Sequence, residues 1–416
     1  MTTATPTRFD GTQGPLAQRL LFKALNRFHT GSLTLHDESG TYVFGNPDQD
    51  GPHASVHIHN TRTYREMLTG GALAAAECYV AGFWDTSDLA TVVRVFAVNL
   101  DTTSKLNKTL GLVTKPVLRL AHWLNRNDKA GSRKNISAHY DLGNELFEAF
   151  LDDSMMYSSA IYPSSDATLE EAQRHRLDRV CQKLDLKPGD HLLEIGTGWG
   201  GMAIHAAKHY GCKVTTTTIS DEQHDYTRKR IDELGLADKI TLLKQDYRDL
   251  TGQYNKLVSI EMIEAVGHDY LPSYFKVLSE RLTDDGAALI QCITMPDQRY
   301  QEYRSSVDFI RKYIFPGGHL PSLSILLDNM KRHTDLQMVH LEDMTDHYAR
   351  TLKDWHHRFV AARDQILELG YDDTFYRLWR YYFAYCEGGF TERAIGTHQV
   401  MFAKDKNRQT WIDPAQ

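Results

Sequence analysis

A glycine-rich loop that follows a short apolar run is the strongest chemical signal in the sequence. Residues 191–201 read HLLEIGTGWGG, and helical spacing continues over 201–210. Gly196 and Gly198 allow a tight turn and let a ligand approach the backbone, while the start of the next helix offers unpaired N–H groups. The pattern therefore predicts a nucleotide-like ligand at the end of a strand.

The neighbours of this loop distinguish two kinds of ligand. The G-x-G-x-x-G spacing over 196–201 also fits a dinucleotide site, but such a site expects an acid about 20 residues later, where this chain has four threonines at 215–218. Glu194 lies just before the loop, and Asp246 and Tyr247 follow the third apolar run. These side chains could bind an adenosine and an amino-acid ammonium, so we expect S-adenosylmethionine rather than a nicotinamide or a flavin.

Alternating helical and apolar segments position these residues from Asn135 onward. The apolar or β-branched runs cover 190–195, 213–219, 240–245, 256–261 and 287–294. Helical spacing covers 139–151, 169–185, 201–210, 222–235 and 271–282. This alternation predicts a mainly parallel sheet with helices on both faces. By contrast, short alternating runs over 30–60 predict small antiparallel strands, and helical spacing follows from about Thr63 to Leu100.

Composition limits the class of protein. The 416 residues suffice for two or three domains, and 41% hydrophobic with 24% charged residues is too polar for a bundle of membrane spans. No apolar run approaches the roughly 18 residues of a spanning helix, and the first residues lack a signal-peptide pattern, so we expect a cytoplasmic protein. The formal charge of -7 gives no reason to expect a nucleic-acid partner. Five scattered cysteines without a C-x-x-C pair, and twenty histidines without an H-E-x-x-H motif, predict neither a disulfide framework nor a metal site.

Residues 105–134 form a basic connector with eight Lys or Arg residues and one acid, Asp128. Leucines, valines and Trp123 are interleaved with these charges. Two interpretations stay open. The segment is either a linker helix that packs against protein, or a segment that lies on an anionic membrane surface with Trp123 at the interface.

Several longer motifs carry a family resemblance that spans the catalytic half of the chain almost continuously. They are NISAHYDLGNELFEAFL (135–151), MMYSSAIY (155–162), LLEIGTGWGG (192–201), TTISDEQ (217–223), QDYRDL (245–250), EMIEAVGHDYL (261–271), DFIRKYIFPGGHLPS (308–322), HYARTLKDW (347–355) and CEGGF (386–390). A further stretch, AECYVAGFWDTSDL, lies near the N-terminus at 76–89. With these motifs the chain resembles the cyclopropane fatty-acyl-phospholipid synthases, relatives of the mycolic-acid cyclopropane synthases.

The resemblance implies an α/β fold. A Rossmann-like class I methyltransferase sheet with helical lid insertions would be joined to a small α+β N-terminal domain. The expected units are a lipid-binding-type domain over 1–104, the basic linker over 105–134 and an S-adenosylmethionine-dependent catalytic domain over 135–405. A homodimer is a further option.

The resemblance also implies an activity, namely methylene transfer from S-adenosylmethionine to the cis double bond of an acyl chain in a membrane phospholipid. The product would be a cyclopropane fatty acid, formed at the inner face of the cell membrane. Together with the loop argument, it assigns the cofactor contacts to Tyr140, Tyr157, Ser158, Glu194, Gly196, Gly198, Thr218, Gln223, Asp246 and Tyr247. An alkene is a feeble nucleophile that needs a dry, positioning pocket, and aromatic faces stabilise the carbocation that methyl transfer leaves. The candidate rings are Tyr140, Tyr157, Tyr303, Tyr313 and Phe315.

A base must then remove a proton from the new methyl group, and in the resembled family a bound bicarbonate is thought to do so. The residues that match its site are Glu264, the backbone of Ile293, and Tyr348. Ser159 and Gln291 depart from the bacterial pattern, which has a cysteine and a histidine there, although both can donate hydrogen bonds to an anion. These departures leave open a second product, a methylene or methyl branch. A third interpretation is a lipid-binding protein that has lost its catalytic activity.

Overall fold

The computed structural model describes residues 15–101 and 142–409, and the first of these ranges forms a small unit of helices and strands. Its helices are α1 (Leu16–Leu25), α2 (Arg62–Val80) and α3 (Leu89–Val98), and its strands are β1 (Ser32–Asp37), β2 (Gly40–Gly45), β3 (His53–Ile58) and β4 (Trp84–Asp85). The strands form one sheet in the order β2-β1-β3-β4. Phe22, Leu33 and Val56 bury their side chains between this sheet and the helices.

The strands of this unit pair in both directions. β1 is antiparallel to β2, as the sequence predicts, but β1 and β3 are parallel, with Leu33 opposite Ala54. β4 is antiparallel to β3 and lies within the stretch for which the sequence predicts only helix. The expectation of antiparallel strands is therefore wrong for β1 and β3. An alternating apolar pattern fixes which face of a strand is buried, and that pattern is the same for either strand direction.

The second range forms a larger unit with a seven-stranded sheet. Its strands are β5 (His191–Ile195), β6 (Lys213–Thr218), β7 (Ile240–Lys244), β8 (Tyr254–Ile260), β9 (Leu282–Thr294), β10 (Gln337–Asp343) and β11 (Gly396–Ala403). Its helices are α4 (Asn144–Glu148), α5 (Leu169–Lys183), α6 (Gly201–His205), α7 (Asp221–Glu233), α8 (Leu271–Arg281), α9 (Asp297–Arg304), α10 (Leu323–His333), α11 (Thr345–Ala361), α12 (Arg363–Glu368) and α13 (Asp373–Thr391). Two π-helical turns cover Ala206–Tyr210 and Ile310–Ile314.

The sheet order is β10-β11-β9-β8-β5-β6-β7. Strands β9, β8, β5, β6 and β7 are mutually parallel, while β11 pairs antiparallel with both β9 and β10. The first strand of this sheet, β5, lies between β8 and β6. The chain first adds β6 and β7 on one side of β5 and then adds β8 and β9 on the other side. Ligands of doubly wound sheets bind at such a switch point, at the carboxyl ends of the strands. This architecture confirms the α/β fold, and the five parallel strands correspond to the five apolar runs.

Local sequence signals explain several of these elements. Thr168 caps α5 with a capping box, in which Thr168 and Glu171 each accept a hydrogen bond from the other's backbone N–H. Ser220 caps α7 in a similar way by accepting from the backbone N–H of Gln223. Both caps fix the start of a helix that packs against the site described below.

Helix α13 joins the two units. It packs against α3 and α2 of the first unit and against α11 of the second. Gly388 permits the approach to α3, because a Cβ there would lie 2.8 Å from Val93 Cγ1. Arg377 of α13 donates to the carbonyl of Tyr79 at 2.7 Å and pairs with Asp85 at 2.9 Å. The two units therefore share one apolar core.

Within residues 15–101 and 142–409, every helix is too short or too polar to cross a bilayer. The same ranges hold no group of three or more His, Cys, Asp or Glu side chains with the geometry of a metal site. All five cysteines are free thiols. The basic segment at 105–134 lies outside the described residues, as does the proposed boundary near residue 104.

Candidate active site

A cavity of about 950 Å³ runs from the glycine loop of the larger unit into the smaller unit. Gly196 and Gly198 line one end, and Leu35, Val56 and Met67 of the smaller unit line another part. The wall between these ends is largely aliphatic and aromatic. A polar ligand at the loop and a long apolar ligand can therefore occupy one continuous space.

The glycine loop has the shape that its sequence predicts. Gly196, Gly198 and Gly200 have φ angles of 101°, 53° and 87°, a region that favours glycine. A Cβ built on Gly198 would meet no atom within 4 Å, so the backbone here faces open space. A Cβ on Gly201 would lie 2.5 Å from Met156 Sδ, so the loop packs tightly against the preceding segment. This cradle fits a nucleoside-type ligand.

The structure brings the sequence-predicted cofactor residues together. Those within the described ranges all line the cavity, namely Tyr157, Ser158, Glu194, Gly196, Gly198, Thr218, Gln223, Asp246 and Tyr247. Tyr140 lies outside the described residues. Their individual contacts with S-adenosylmethionine stay predictions.

Polar contacts hold several of these side chains in place. Glu194 is only 2% exposed and accepts a hydrogen bond of 2.6 Å from Thr216 Oγ1; burial raises its pKa to about 8. Thr218 Oγ1 donates to Gln223 Oε1 at 2.9 Å. Asp246 is paired with Arg248 at 2.6 Å. The crevice is therefore built of ordered polar groups before a ligand binds.

Aromatic rings form the wall beyond the glycine loop. The hydroxyls of Tyr157 and Tyr382 are hydrogen-bonded at 2.8 Å, and the Tyr157 ring lies 5.3 Å from that of Trp355. Phe315 and Tyr303 also line the cavity. These rings could stabilise a nearby cation without offering a reactive lone pair.

Tyr313, the other candidate ring within the described residues, is placed differently. Its side chain is on the surface at 38% exposure, and its hydroxyl donates to Glu77 at 2.7 Å. It does not line the cavity, so the expectation that it belongs to the aromatic wall is wrong. It lies within a π-helical turn, which alters the spacing of side chains around the helix axis.

Two glutamates occupy the polar part of the wall, and Glu261 has the larger set of donors. Its Oε2 accepts from the Tyr348 hydroxyl at 2.7 Å. Its Oε1 accepts from Gln291 Nε2 and from the backbone N–H of Ser159, both at 2.9 Å. Three sequence-predicted site residues therefore converge on a carboxylate that the sequence analysis did not single out.

Glu264 lies three residues further along and contacts the fourth predicted donor. Its Oε1 accepts from the backbone N–H of Ile293 at 2.5 Å, while Oε2 is buried without a hydrogen-bond partner among the described residues. Burial, together with the nearby Glu261 carboxylate, raises the pKa of Glu264 to about 8. The protonated form of this side chain is therefore favoured relative to an ordinary glutamate.

Ser159 and Gln291 lie behind the cavity wall, since both side chains are fully buried. Ser159 takes part through its backbone N–H, and the expectation that its hydroxyl donates to the site is wrong, because that hydroxyl donates to the carbonyl of Ala160 at 3.0 Å. The Gln291 amide is oriented from behind, since its Oε1 accepts from Gln399 Nε2 at 2.9 Å. Gln399 in turn accepts from Lys183 Nζ at 2.8 Å.

Glu261 is the residue of this site that the sequence motifs did not indicate. Its position just after β8 and its E-x-x-E spacing to Glu264 were visible in the motif over 261–271. Its φ angle of 49° was not visible, and a left-handed conformation is unusual for a residue other than glycine. A second acid at the carboxyl end of a parallel strand is the signal that could have indicated it.

Comparisons with known proteins agree with this geometry. A family model described as mycolic acid cyclopropane synthetase matches residues 127–400. The tuberculostearic acid methyltransferase of Mycobacterium tuberculosis is 37% identical over 402 residues, covering 92% of this chain and 90% of that protein. The cyclopropane-fatty-acyl-phospholipid synthase of Escherichia coli K12 is 35% identical over 358 residues, covering 84% of this chain and 88% of that protein.

A solved structure shows the same fold. The crystal structure of a mycolic acid cyclopropane synthase complexed with SAH and CTAB matches with a TM-score of 0.61 at 28% identity. The match covers 65% of this chain and 98% of that one. These findings confirm the family resemblance that the sequence motifs indicate.

Proposed function

The chain belongs to the mycolic acid cyclopropane synthetase family of S-adenosylmethionine-dependent methyltransferases, and we propose that it transfers the methyl carbon of S-adenosylmethionine to the cis double bond of an unsaturated acyl chain in a phospholipid. The proposed product is a cyclopropane ring. The observation that carries the proposal is the continuous cavity, which joins the glycine loop to an apolar, aromatic wall with two carboxylates.

S-adenosylmethionine supplies a methyl carbon on a sulfonium, which is an electrophile that a weak nucleophile can attack. We propose that Gly196 and Gly198 lie under it, that Thr218 and Gln223 hold the ribose, and that Asp246 with Tyr247 flanks the adenine. Tyr157 and Ser158 would cover it, and the same role for Tyr140, which lies outside the described residues, stays a prediction. Glu194 shapes the same crevice from beneath the loop.

The wall of the cavity suits an alkene. Tyr157, Phe315 and Tyr303 would help to exclude water, and Tyr157 and Phe315 would offer ring faces to the cation that forms after methyl transfer. The ring of Tyr303 already carries the Arg311 guanidinium, 3.9 Å from its centroid. Tyr348 presents its hydroxyl from the same wall and stacks on Phe390, with ring centroids 4.5 Å apart. Enclosure and orientation of this kind supply much of the rate for a poor nucleophile.

A bound bicarbonate, which the resemblance implies, does not fit the described residues. Its four expected donors are the backbone N–H of Ile293 and the side chains of Ser159, Gln291 and Tyr348. Ile293, Gln291 and Tyr348 already donate to the carboxylate of Glu261 or Glu264, and the Ser159 hydroxyl donates to the carbonyl of Ala160. A further anion would find none of these four donors free and two acids beside it.

The test is an assay of the purified full-length chain with S-adenosylmethionine and vesicles of a monounsaturated phospholipid. Mass spectrometry should show a one-carbon addition to the esterified acyl chain, and proton NMR should show cyclopropane protons far upfield of the alkene signals. Acyl chains that stay unmodified, while free substrates of other classes are methylated, would contradict the proposal.

A second product has support from a specific relative. The protein of Mycobacterium tuberculosis that matches 92% of this chain is named as a methyltransferase rather than a cyclopropane synthase. The same NMR spectrum separates the two outcomes, because a methylene branch gives vinylidene protons and a methyl branch gives a methyl doublet.

We also propose that the protein acts from the inner surface of the cell membrane, because its substrate is esterified in phospholipid. Contact of the basic segment 105–134 with anionic headgroups would give salt-sensitive binding to vesicles. Charge reversal at Arg119, Arg126 and Lys129 should weaken vesicle binding. Unchanged binding would identify the segment as a linker. The homodimer stays a prediction.

A further inference from the structure

The residues that would hold an exogenous base instead surround a carboxylate of the chain itself. Tyr348, Gln291 and the backbone of Ser159 come from three separate elements of the larger unit, and all three donate to Glu261. This carboxylate also lines the cavity. The three bonds occupy both acceptor positions of Oε1 and one of Oε2, so one position on Oε2 stays able to take a proton.

The backbone conformation of Glu261 is a second observation that indicates a functional side chain. Glu261 has a φ angle of 49°, and its backbone N–H donates to the carbonyl of Gln291 at 2.7 Å. A left-handed conformation costs a residue other than glycine about 1–2 kcal/mol. Such strain persists mainly at functional sites, where the surrounding structure fixes it. Glycine would be the unstrained residue here, so a glutamate at this position costs stability.

We propose that the Glu261 carboxylate is the general base that removes the proton from the transferred methyl group, so that this chain works without a bound bicarbonate. The inference rests on the proposed function and names the group that completes its chemistry.

The charge distribution around the pair supports ionised Glu261 beside protonated Glu264. Burial raises the pKa of both acids. The hydrogen bonds from Tyr348, Gln291 and Ser159 and the buried guanidinium of Arg176 act in the opposite direction on Glu261. Glu264 has only backbone N–H groups, those of Ile293 and of Glu264 itself, and no such cation among its main influences. When two nearby carboxyls share one proton, it goes to the less supported partner.

The proposed reaction joins methyl transfer, proton removal and ring closure. The π pair of the alkene forms a bond to the methyl carbon, the carbon–sulfur bond breaks with its pair left on sulfur, and a cation forms at the adjacent carbon. Glu261 Oε2 takes one proton from the methyl group, and the released C–H pair closes the three-membered ring. If a hydride first shifts to the adjacent carbon, loss of the same proton gives a methylene branch instead. Either product requires this base.

The test measures turnover of the full chain on unsaturated phospholipid vesicles in carbon-dioxide-free buffer, with and without added bicarbonate. The parent should be equally active in both. Glu261→Gln, which keeps the size but cannot take a proton, should lose on the order of 100-fold or more in kcat in both buffers. Glu261→Gly, which opens the anion position and suits the backbone, should be inactive alone and regain activity with bicarbonate or acetate.

Glu280→Gln is the matched control, because Glu280 is exposed on α8 and lies outside the cavity wall. It should keep the parent's turnover. Calorimetry with S-adenosylmethionine shows whether each variant is folded, since affinity should stay within about twofold of the parent if only proton removal is lost.

Three results would overturn the inference. They are a parent that is active only with bicarbonate, a Glu261→Gln variant with the parent's kcat, and a Glu261→Gly variant that binds S-adenosylmethionine but is rescued by no added carboxylate. A parent that alkylates no acyl chain in either buffer would instead defeat the proposed function.

Discussion

At the scale of single residues, the pair Glu261 and Glu264 shows how one strand end produces two different acids. Both lie in the same cavity wall, three residues apart. Glu261 receives three donors and Glu264 receives one, so the neighbouring backbone and side chains, rather than residue type, separate their behaviour. This is the environment-dependent pKa separation that general acid–base sites use.

Glu264→Gln tests the protonation of this pair through stability. The pKa of Glu264 in the folded protein is about 8, above its ordinary value of 4.5. Between these values the folded chain keeps a proton that the unfolded chain has lost, so stability falls as pH rises through this window. The glutamine side chain of the variant would carry no such proton and would still accept from the backbone N–H of Ile293.

The parent should therefore lose more unfolding free energy than the Glu264→Gln variant when urea denaturation is compared at about pH 5.5 and pH 8. The expected difference is on the order of 1–3 kcal/mol. Equal pH dependence of the two proteins would show that Glu264 is already ionised in the folded state at neutral pH.

Residue types and motifs were sufficient to identify most of this site. The resemblance supplied Glu264, Tyr348, Gln291, Ser159 and the backbone of Ile293, and the structure brings all of them to one part of the cavity wall or directly behind it. The recipient of three of their hydrogen bonds could not be read from the sequence. Which carboxylate meets which donor depends on the left-handed turn at Glu261 and on the meeting of distant elements.

At the scale of elements, support for the site comes from behind the sheet. Lys183 of α5 donates to Gln399 of β11, which donates to Gln291 of β9, which donates to Glu261. The amide oxygens of Gln399 and Gln291 each accept a hydrogen bond, so the amide N–H groups of both side chains must point toward the next member of the chain of hydrogen bonds. The relay crosses three elements, so it orients the Gln291 amide only when the antiparallel β11 is docked on β9.

Gln399→Leu tests this relay. The change leaves Gln291 Oε1 buried without its donor, a loss of about 1–3 kcal/mol that is relieved if the amide turns away from Glu261. We expect kcat to fall about tenfold with little change in S-adenosylmethionine affinity. Gln337→Leu, at the exposed start of β10, is the matched control and should keep the parent's kcat. A parental kcat for Gln399→Leu would show that the relay does not position the base.

Gly201→Ala tests the packing of the glycine loop. The added Cβ would lie 2.5 Å from Met156 Sδ and 2.6 Å from the Ser154 carbonyl oxygen, and one of these is backbone. The segment that leads to Tyr157 must therefore shift, and we expect calorimetry to show a several-fold weaker affinity for S-adenosylmethionine. Gly189→Ala is the control, because a Cβ there meets no atom within 4 Å. If both variants bind S-adenosylmethionine as tightly as the parent, the packing of Gly201 against Met156 does not contribute to cofactor binding.

Element types were largely predictable from the sequence, and strand direction was not. The runs at 190–195, 213–219 and 240–245 became β5, β6 and β7 almost residue for residue. Period and turn signals carry that information locally. The parallel pairing of β1 with β3, and the antiparallel β11 between β9 and β10, depend on connections between distant segments.

At the scale of the whole molecule, the smaller unit is part of the cavity. Leu35, Val56 and Met67 line its far region, and α13 holds this unit against the catalytic one through Gly388. A methyl donor alone would not need this apolar extension. We infer that the smaller unit provides room for the part of the acyl chain that lies beyond the double bond.

Met67→Trp tests that placement. Met67 is a partly buried residue of α2, and the larger ring would fill part of the cavity. We expect a severalfold loss of turnover on long acyl chains, a smaller loss on short ones, and unchanged S-adenosylmethionine affinity. Arg65→Trp, exposed on the same helix and outside the cavity wall, is the control. Equal losses on long and short chains would place the acyl tail elsewhere.

The central claim is that a carbon from S-adenosylmethionine joins an acyl double bond and gives up one proton to the site. The most direct measurement uses S-adenosylmethionine with a fully deuterated methyl group and unsaturated phospholipid vesicles, followed by mass spectrometry of the esterified chains. The account predicts a modified acyl chain that keeps two of the three deuterium atoms. A chain that keeps all three, or a lipid fraction without label, would contradict it.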